Sequence, residues 1–556
     1  MARTAPMHLL KRLAADHRDA TRLRLPPADL RGLRSQSAHG DTSSRRTLLK
    51  RAAAVGLGTT ALTATATATA ATATAVARAP KRPAGDARIA VVGAGIAGLT
   101  AALTLQDAGL SCTLFEADAD RIGGRIWTQR GHWTGGQTSE IGGELIDTDH
   151  KKMLALCRRF GLSVEDFAAA GPNGAEEVLW FDGGYYPRAQ ADADFKDVFQ
   201  VLHRDLQAAG EVMWDRTTPH GTALDRMSLR EWIDSRVPGG SASRLGQFLD
   251  VAYSIEYGLD TTEQSALALV LLLGYQPNPG HFNVWGSSDE RYHIRGGNDL
   301  LPHAIADSLA DGTLRRGWRL EHLRANGDGT QTLTFEEGGA TRTVTADHTV
   351  LCLPLPVLQG LDPVAAGFDP RMRGLLSDAR MGTCTKLNIQ FGSRPWRGAG
   401  PWPGVSAGDT FTGDRIQQLW DATKTQAGDG GILIQFNSGS PAAALAPGTP
   451  FATESDPYVR DLVGRRLAAV ERIFPGTSAA WAGRAQLSAW HRHPHALGAY
   501  SAWPVGYVSR YAGYEGTAQG HVHLAGEHCA YDFQGFMEGG AAEGERAARE
   551  VIAAVR

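Results

Sequence analysis

The sequence is poor in cysteine: five in 556 residues, an odd number, widely spaced at Cys112, Cys157, Cys352, Cys384 and Cys529. No CxxC occurs, so a disulfide framework and a cysteine-based zinc site both lack their signature, and small buried thiols are the simpler reading. Catalytic signatures are missing too. Without HExxH or GxxxxGK[ST], the chain carries no motif for a zinc protease or a P-loop nucleotide triphosphatase. Charge of one sign is also lacking. With 56 Lys and Arg against 59 Asp and Glu, the formal charge is −3, and no nucleic-acid partner is expected. His491, His493 and His495 alternate as on one face of a strand, but Pro494 interrupts regular pairing and no acid or cysteine joins them, so no metal is expected.

What is present begins with an ordinary globular profile, 42% hydrophobic and 21% charged. Residues 1–51 are polar and Arg-rich and end in Ser43-Ser44-Arg45-Arg46-Thr47-Leu48-Leu49-Lys50; a weakly apolar Ala/Thr stretch then runs to Val76, with small residues at Ala75, Ala77 and Ala79. A charged region, an apolar region and A-x-A sites in this order make an export leader. SRRTLLK resembles a bacterial twin-arginine signal, which implies the twin-arginine machinery as partner, passage in the folded state, and a periplasmic or secreted destination. The threonines leave the segment too polar for a stable membrane anchor. Setting 1–79 aside leaves about 480 residues, enough for two or three domains. A route for folded proteins favours a cofactor acquired early and retained, hence FAD over NAD.

From Arg88 to Thr128 the chain reads as a βαβ unit. The apolar run Ile89 to Val92 leads into Gly93-Ala94-Gly95-Ile96-Ala97-Gly98, a helical pattern follows with Leu99, Ala102 and Leu103, and a second apolar run from Cys112 to Phe115 stops at Glu116. The glycines serve a tight turn, backbone contact with a pyrophosphate at the helix N-terminus, and close helix–strand packing. The acid about twenty residues on suits a ribose hydroxyl. Two further Gly-Gly pairs follow, in Arg121-Ile-Gly-Gly-Arg125 and Glu140-Ile-Gly-Gly-Glu144, where backbone can approach a ligand. Downstream, residues 151–165 read as a helix closed by Gly161, 176–186 as a hairpin turning at Asp182-Gly183-Gly184, and Phe195 to Leu273 as mostly helical. Residues 317–353 read as strands. Met381 to Phe391 alternates, with Leu387, Ile389 and Phe391 on one face and Lys386, Asn388 and Gln390 on a face that would be solvated.

In this order, GxGxxG, Glu116-Ala117 with Gly123-Gly124-Arg125, and Glu140 with Gly142-Gly143 resemble the flavin amine oxidase family of monoamine, polyamine and L-amino-acid oxidases. The resemblance runs from about 88 to 556 and is weakest at 190–290 and 392–480. It implies an α/β fold as in monoamine oxidases: a discontinuous Rossmann-like FAD-binding domain (86–164, 290–375 and 494–556) with an α+β substrate-binding domain (165–289 and 376–493). The family usually has one residue fewer between the acid and the GGR, so Asp118 to Arg121 is expected to be displaced.

The resemblance also implies a site. FAD would contact Gly93, Gly95, Ile96, Ala97, Gly98, Glu116, Ala117, Gly124, Arg125, Gly142, Gly143, Glu144, Gly526, Glu527, Gly535, Phe536 and Met537, the last few opening a final helix (Ala541 to Val555) aimed at the flavin ring. Lys386 matches the lysine that holds a water at flavin N5. Tyr500 and Phe536 match the two cage positions. Ala499 stands where mitochondrial monoamine oxidases carry the attaching cysteine, so FAD should be non-covalent. The implied reaction is oxidation of a C–N bond of a small amine with O₂ as acceptor. Substrate contacts would come from Glu144, Leu145, Tyr500 and Trp503. An L-amino-acid oxidase would carry an arginine just after the second Gly-Gly pair, where this chain has Glu144-Leu145-Ile146. Glu144 would attract a cationic amine or serve a structural salt bridge, and Arg295 or Arg492 could still supply a carboxylate clamp. A flavin desaturase or protoporphyrinogen-type oxidase and a non-catalytic flavin-binding module are the alternatives. A homodimer is left open.

Overall fold

The computed structural model describes residues 87–274, 276, 280, 282–286 and 288–556; the export signal expected at 1–79 lies outside the described residues. Ile89–Val92 has no polar side to offer water, and a run of that kind belongs in the middle of a parallel sheet. It occupies that place in a five-stranded parallel sheet ordered Val522–Leu524, His348–Leu351, Ile89–Val92, Thr113–Glu116, Leu314–Arg316. Its strands come from three separated stretches of the chain, 89–116, 314–351 and 522–524.

The helix Ile96–Asp107 is apolar nearly all round because it is covered on two sides, by this sheet and by the final helix Met537–Val555. Small residues make that second contact possible: a Cβ on Gly544 would lie 2.0 Å from the Ala97 carbonyl oxygen. The final helix starts at Met537 rather than Ala541, because Phe536 is still extended and Met537, Glu538 and the two glycines after it take helical geometry.

A second sheet is eight-stranded and mixed, ordered Phe451–Thr453, Trp481–Ala489, Cys384–Phe391, Gly431–Ser438, Gln418–Asp421, Thr410–Thr412, Val178–Phe181, Gly184–Tyr185. Every residue of Cys384–Phe391 is buried. Leu387, Ile389 and Phe391 join a core with Val459, Leu462 and Val463 of the helix Pro457–Ile473. The opposite, polar face is not solvated as the alternation suggests. It is zipped to the segment 134–144: Gln390 Nε2 donates to Gln137 Oε1 at 2.9 Å, Asn388 Nδ2 to Ser139 Oγ at 2.8 Å, and Lys386 Nζ to the Gly142 carbonyl at 2.8 Å. Period-2 alternation reports two chemically different faces, not which of them meets water.

Helices Arg188–Ala209, Pro219–Asp225, Leu229–Arg236, Arg244–Tyr257 and Ala266–Leu273 fill the expected helical region. Ser228 and Glu231 form a capping box on the third, and Gly258, at φ 72°, ends the fourth. The histidines His491, His493 and His495 do not share a strand face. The strand ends at Ala489 and Trp490–Arg492 is a single 3₁₀ turn. Among the described residues, no helix is long and apolar enough to cross a membrane.

Candidate active site

One cavity of about 760 Å³ runs from the parallel sheet to the mixed sheet. At its first end the backbone is the wall. Gly93 has φ +100°, and a Cβ there would lie 2.7 Å from the Cys352 carbonyl oxygen. Helical bonding starts with the Leu99 amide donating to the Gly95 carbonyl at 3.0 Å, so the amides of Ile96, Ala97 and Gly98 have no intrahelical acceptor and make a positive end for an anion. Glu116 accepts from the amides of Ala94 (2.7 Å) and Asp118 (2.9 Å); burial pushes its carboxyl above the usual range although these amides pull it down.

The loop expected to be displaced after Glu116 is closed by its own turn. Asp118 Oδ1 accepts from the amides of Asp120 and Arg121, both at 3.0 Å, and beyond this turn Gly123 bridges to Gly95. Arg125 Nη1 donates to Glu527 Oε1 at 2.9 Å and to the Ala499 carbonyl at 2.6 Å. Glu527 also accepts from the Ser501 amide and hydroxyl and from the Gly535 amide, so one carboxylate ties the GGR loop, the Tyr500 segment and the approach to the final helix. Burial alone would raise the Glu527 carboxyl, but the Arg125 guanidinium and the Ser501 bond hold it below the usual range.

Nearly all of the expected residues line this cavity: Gly93, Gly95, Ile96, Ala97, Glu116, Ala117, Gly124, Arg125, Gly142, Gly143, Glu144, Leu145, Lys386, Tyr500, Gly526, Glu527, Gly535, Phe536 and Met537. Two do not. Gly98 serves packing instead, since a Cβ on it would lie 1.9 Å from the Gly93 carbonyl oxygen. Trp503, 2% exposed, is drawn into the apolar core beyond the strand Ser501–Ala502, where burying its indole outweighs a place on the cavity wall.

The middle of the cavity carries the reactive groups. Lys386 Nζ is 2.6 Å from Glu144 Oε2, and the Trp420 indole N–H donates to Glu144 Oε1 at 3.0 Å with its ring 5.3 Å from the ammonium. Each carboxylate oxygen of Glu144 therefore has a partner, which is the salt-bridge arrangement of the two that the sequence left open. The Tyr500 hydroxyl donates to the Ile255 carbonyl and accepts from the Cys384 thiol at 3.0 Å, which fixes the ring; burial pushes the phenol well above its usual pKa and the Cys384 thiol up to about 12. Phe536 is held edge-on against the His150 ring, centroids 5.0 Å apart.

Arg295 and Arg492 are not clamps. Neither lines the cavity, and Arg295 pairs with Glu165 on the surface. Among the described residues, each Lys and Arg that lines the cavity already has an acid: Arg121 with Asp118, Arg125 with Glu527, Arg188 with Glu177, Arg319 with Glu321, Lys386 with Glu144, Lys424 with Asp409. Sequence reasoning missed Trp420, Gln418, Glu290 and His528. Only His528, adjacent to Glu527, sits in a motif.

His528 tests the fit of a cofactor. It is 3% exposed and lines the cavity, yet neither ring nitrogen has a hydrogen-bond partner, and burial depresses its pKa to about 4. Orphaned nitrogens that line a cavity can be satisfied by a polar ligand group. With free helix amides, a buried acid and glycine walls, the donor set fits FAD.

The comparisons agree with this geometry. Solved structures of putrescine oxidase bound to putrescine (TM-score 0.68, 21% identity, 84% of this chain and 99% of that one) and of cyclohexylamine oxidase from Brevibacterium oxydans (TM-score 0.69, 21% identity, the same coverage) share the fold. Among curated proteins, an L-amino-acid oxidase of Mus musculus is 28% identical over 477 residues, 83% of this chain and 70% of that protein. A nicotine dehydrogenase of Pseudomonas putida is 25% identical over 513 residues, 91% of this chain and 97% of that protein. The family model for flavin-containing amine oxidoreductases matches residues 96–552. A match of that extent, on a cavity built for FAD, makes the chain a member of that family: a flavin-dependent oxidoreductase acting on amines.

Proposed function

We propose that the chain oxidises an amine that carries no carboxylate, with FAD held non-covalently and O₂ as acceptor: R–CH₂–NH₂ + O₂ + H₂O → R–CHO + NH₃ + H₂O₂. When bound, the flavin supplies the two-electron acceptor. Residues at the GxGxxG turn with Glu116 would hold its adenosine end, and Arg125, His528 and the start of the final helix the remainder. Ala499 in place of a cysteine supports non-covalent binding.

The observation that carries the reading is Lys386, which leaves a nominally solvated strand face to lie buried in the cavity wall on Glu144 and the Gly142 carbonyl. There it can fix a water beside the reacting centre. Tyr500 and Phe536 supply two apolar faces between which an uncharged amine is oriented through its lone pair, and Trp420, Phe411 and Phe436 keep bulk water away. No strong general base is needed.

An L-amino-acid oxidase yielding a 2-oxo acid is the second reading, favoured by the 28% identity to the mouse L-amino-acid oxidase. Against it stands the pairing of every cavity Lys and Arg with an acid among the described residues, which leaves no cation for a carboxylate. A lipophilic desaturase has less support, having no use for Lys386 together with the Tyr500 and Phe536 pair. The test is a panel of amines beside L-amino acids, scored by peroxide and by anaerobic bleaching of the flavin. Peroxide from amines alone supports the proposal; turnover of L-amino acids in preference overturns it.

We propose too that the enzyme is exported folded by the twin-arginine route, on the strength of Ser43 to Lys50. Exchanging Arg45 and Arg46 for lysine should hold it in the cytoplasm; unchanged export would dismiss the signal.

A further inference from the structure

Lys386 and Glu144 meet where the mixed sheet, the second Gly-Gly pair and the final helix converge. Nζ and Oε2 are 2.6 Å apart, and the lysine also donates to the Gly142 carbonyl at 2.8 Å. A Cβ on the next residue, Gly143, would lie 2.9 Å from Met537 Sδ, at the start of the final helix. Two residues back along the same strand, about 7 Å, Cys384 bonds the Tyr500 hydroxyl. The pair therefore stands between two features that flank the implied flavin site.

Trp420 braces both partners. It reaches over from Gln418–Asp421, two strands away, and is 6% exposed; its indole N–H donates to Glu144 Oε1 at 3.0 Å and its ring lies 5.3 Å from the ammonium. Stability does not account for the arrangement, because a buried ion pair adds little over apolar packing of the same volume. Its effect on charge is larger. Lys386 alone would present a full positive charge to the cavity, whereas with a carboxylate at 2.6 Å little more than a dipole acts beyond the pair. Arg125 is offset in the same way by Glu527, and burial keeps His528 neutral above about 4.

We propose that Glu144 sets the charge that O₂ meets at the bound flavin: it offsets the Lys386 ammonium, with Trp420 holding both, and so governs how fast the reduced cofactor is reoxidised. The step balances as FADH₂ + O₂ → FAD + H₂O₂, two electrons and two protons leaving the flavin for oxygen. As the first electron moves ahead of the protons, negative charge develops on oxygen, and a positive charge nearby lowers that barrier. Glu144 withholds it. Glu144 is thus a positioning residue acting through Lys386, and the proposal rests on the amine-oxidase reading, which it deepens on the side of the acceptor.

The holoenzyme is to be reduced by light with an external electron donor, mixed with O₂ and followed by flavin absorbance, with the midpoint potential of the bound flavin measured in parallel. The pair carries one positive charge in Glu144→Gln, none in wild type or in the double variant Lys386→Met with Glu144→Gln, and one negative charge in Lys386→Met. Reoxidation should fall in that order, by about tenfold per step, and the double variant should return close to wild type. Glu144→Asp keeps the charge at a greater distance and should lie between wild type and Glu144→Gln. The potential should fall along the same series. A faster reaction at a higher potential marks charge acting on oxygen, since a higher potential alone makes the flavin a weaker donor. If Lys386 acts only by holding a water, the double variant will be as slow as Lys386→Met and Glu144→Gln no faster than wild type; that pattern, or a potential that does not follow the charge, would overturn the proposal. Should Glu144→Gln fail to retain flavin, Lys386→Met against the double variant still decides, because both lack the lysine and differ only in the carboxylate. Since light and not an amine reduces the flavin, the amine panel tests the oxidase reading independently of this series.

Discussion

The two ends of the cavity are built by opposite means. The cofactor end is backbone: glycines set by positive φ and close approach, helix amides, and a carboxylate gripping amides. The substrate end is side chains standing on a buried mixed sheet. Backbone sites need particular residues at particular spacings, so they recur as motifs; side-chain sites can be assembled from any strand that faces the chamber. This difference teaches where specificity can drift while the fold stays fixed.

Breaking the backbone end should have the largest effect. Gly98→Val would drive side-chain atoms into the Gly93 carbonyl, whose oxygen lies 1.9 Å from an ideal Cβ. The expected outcome is insoluble or flavin-free protein, a loss above about 4 kcal/mol, checked by the flavin-to-protein absorbance ratio. Next comes the pair at the junction of the two ends. Lys386→Met strands the buried Glu144 carboxylate and should cost about 3–5 kcal/mol in denaturant unfolding, of which Glu144→Gln in the same chain returns part. Reoxidation by O₂ should slow in Lys386→Met without loss of reduction, and an unchanged rate would remove the lysine from the chemistry.

Two smaller effects sharpen the contrast. In the folded chain burial holds His528 neutral to about 4 and His150 to about 3, against 6.5 when unfolded. Below 6.5 the unfolded chain therefore binds more protons. Stability should be full above that pH and fall as pH drops toward 4, by about 1.4 kcal/mol per pH unit for each histidine. Thermal melts from about pH 7 to about pH 5 should show the decline, and His528→Gln should flatten it. Tyr500→Phe should cost only about 1 kcal/mol, because it removes the bonds to Ile255 and Cys384 but leaves the ring face on the amine. A large fall in kcat would instead give the hydroxyl a chemical role.

Legibility in the sequence follows the same division. The parallel sheet and its segments, the hairpin at Asp182-Gly183-Gly184 and the strands after Trp318 could be read from patterns because local rules decide them. Gly98 was misassigned since one GxGxxG motif combines ligand contact with packing. Trp503 was misassigned because an aromatic near a site motif gives no sign of which side of the chain it faces. Lys386, Asn388 and Gln390 looked solvated because alternation cannot show that a second domain lies over the polar face. Trp420 had no signal at all: its meaning depends on the ion pair it meets in space.

The five-stranded parallel sheet has a consequence for synthesis. Ile89–Val92, near the start of the described chain, hydrogen-bonds to His348–Leu351, which in turn pairs with Val522–Leu524 close to the C-terminus. Contacts so distant in sequence close late and slowly. The ribosome must release nearly the whole polypeptide before Glu527 can meet Arg125 and the final helix can cover the first. Assembly is therefore post-translational by topology, and a chain cut short before Val522 would leave the dinucleotide cradle without one wall.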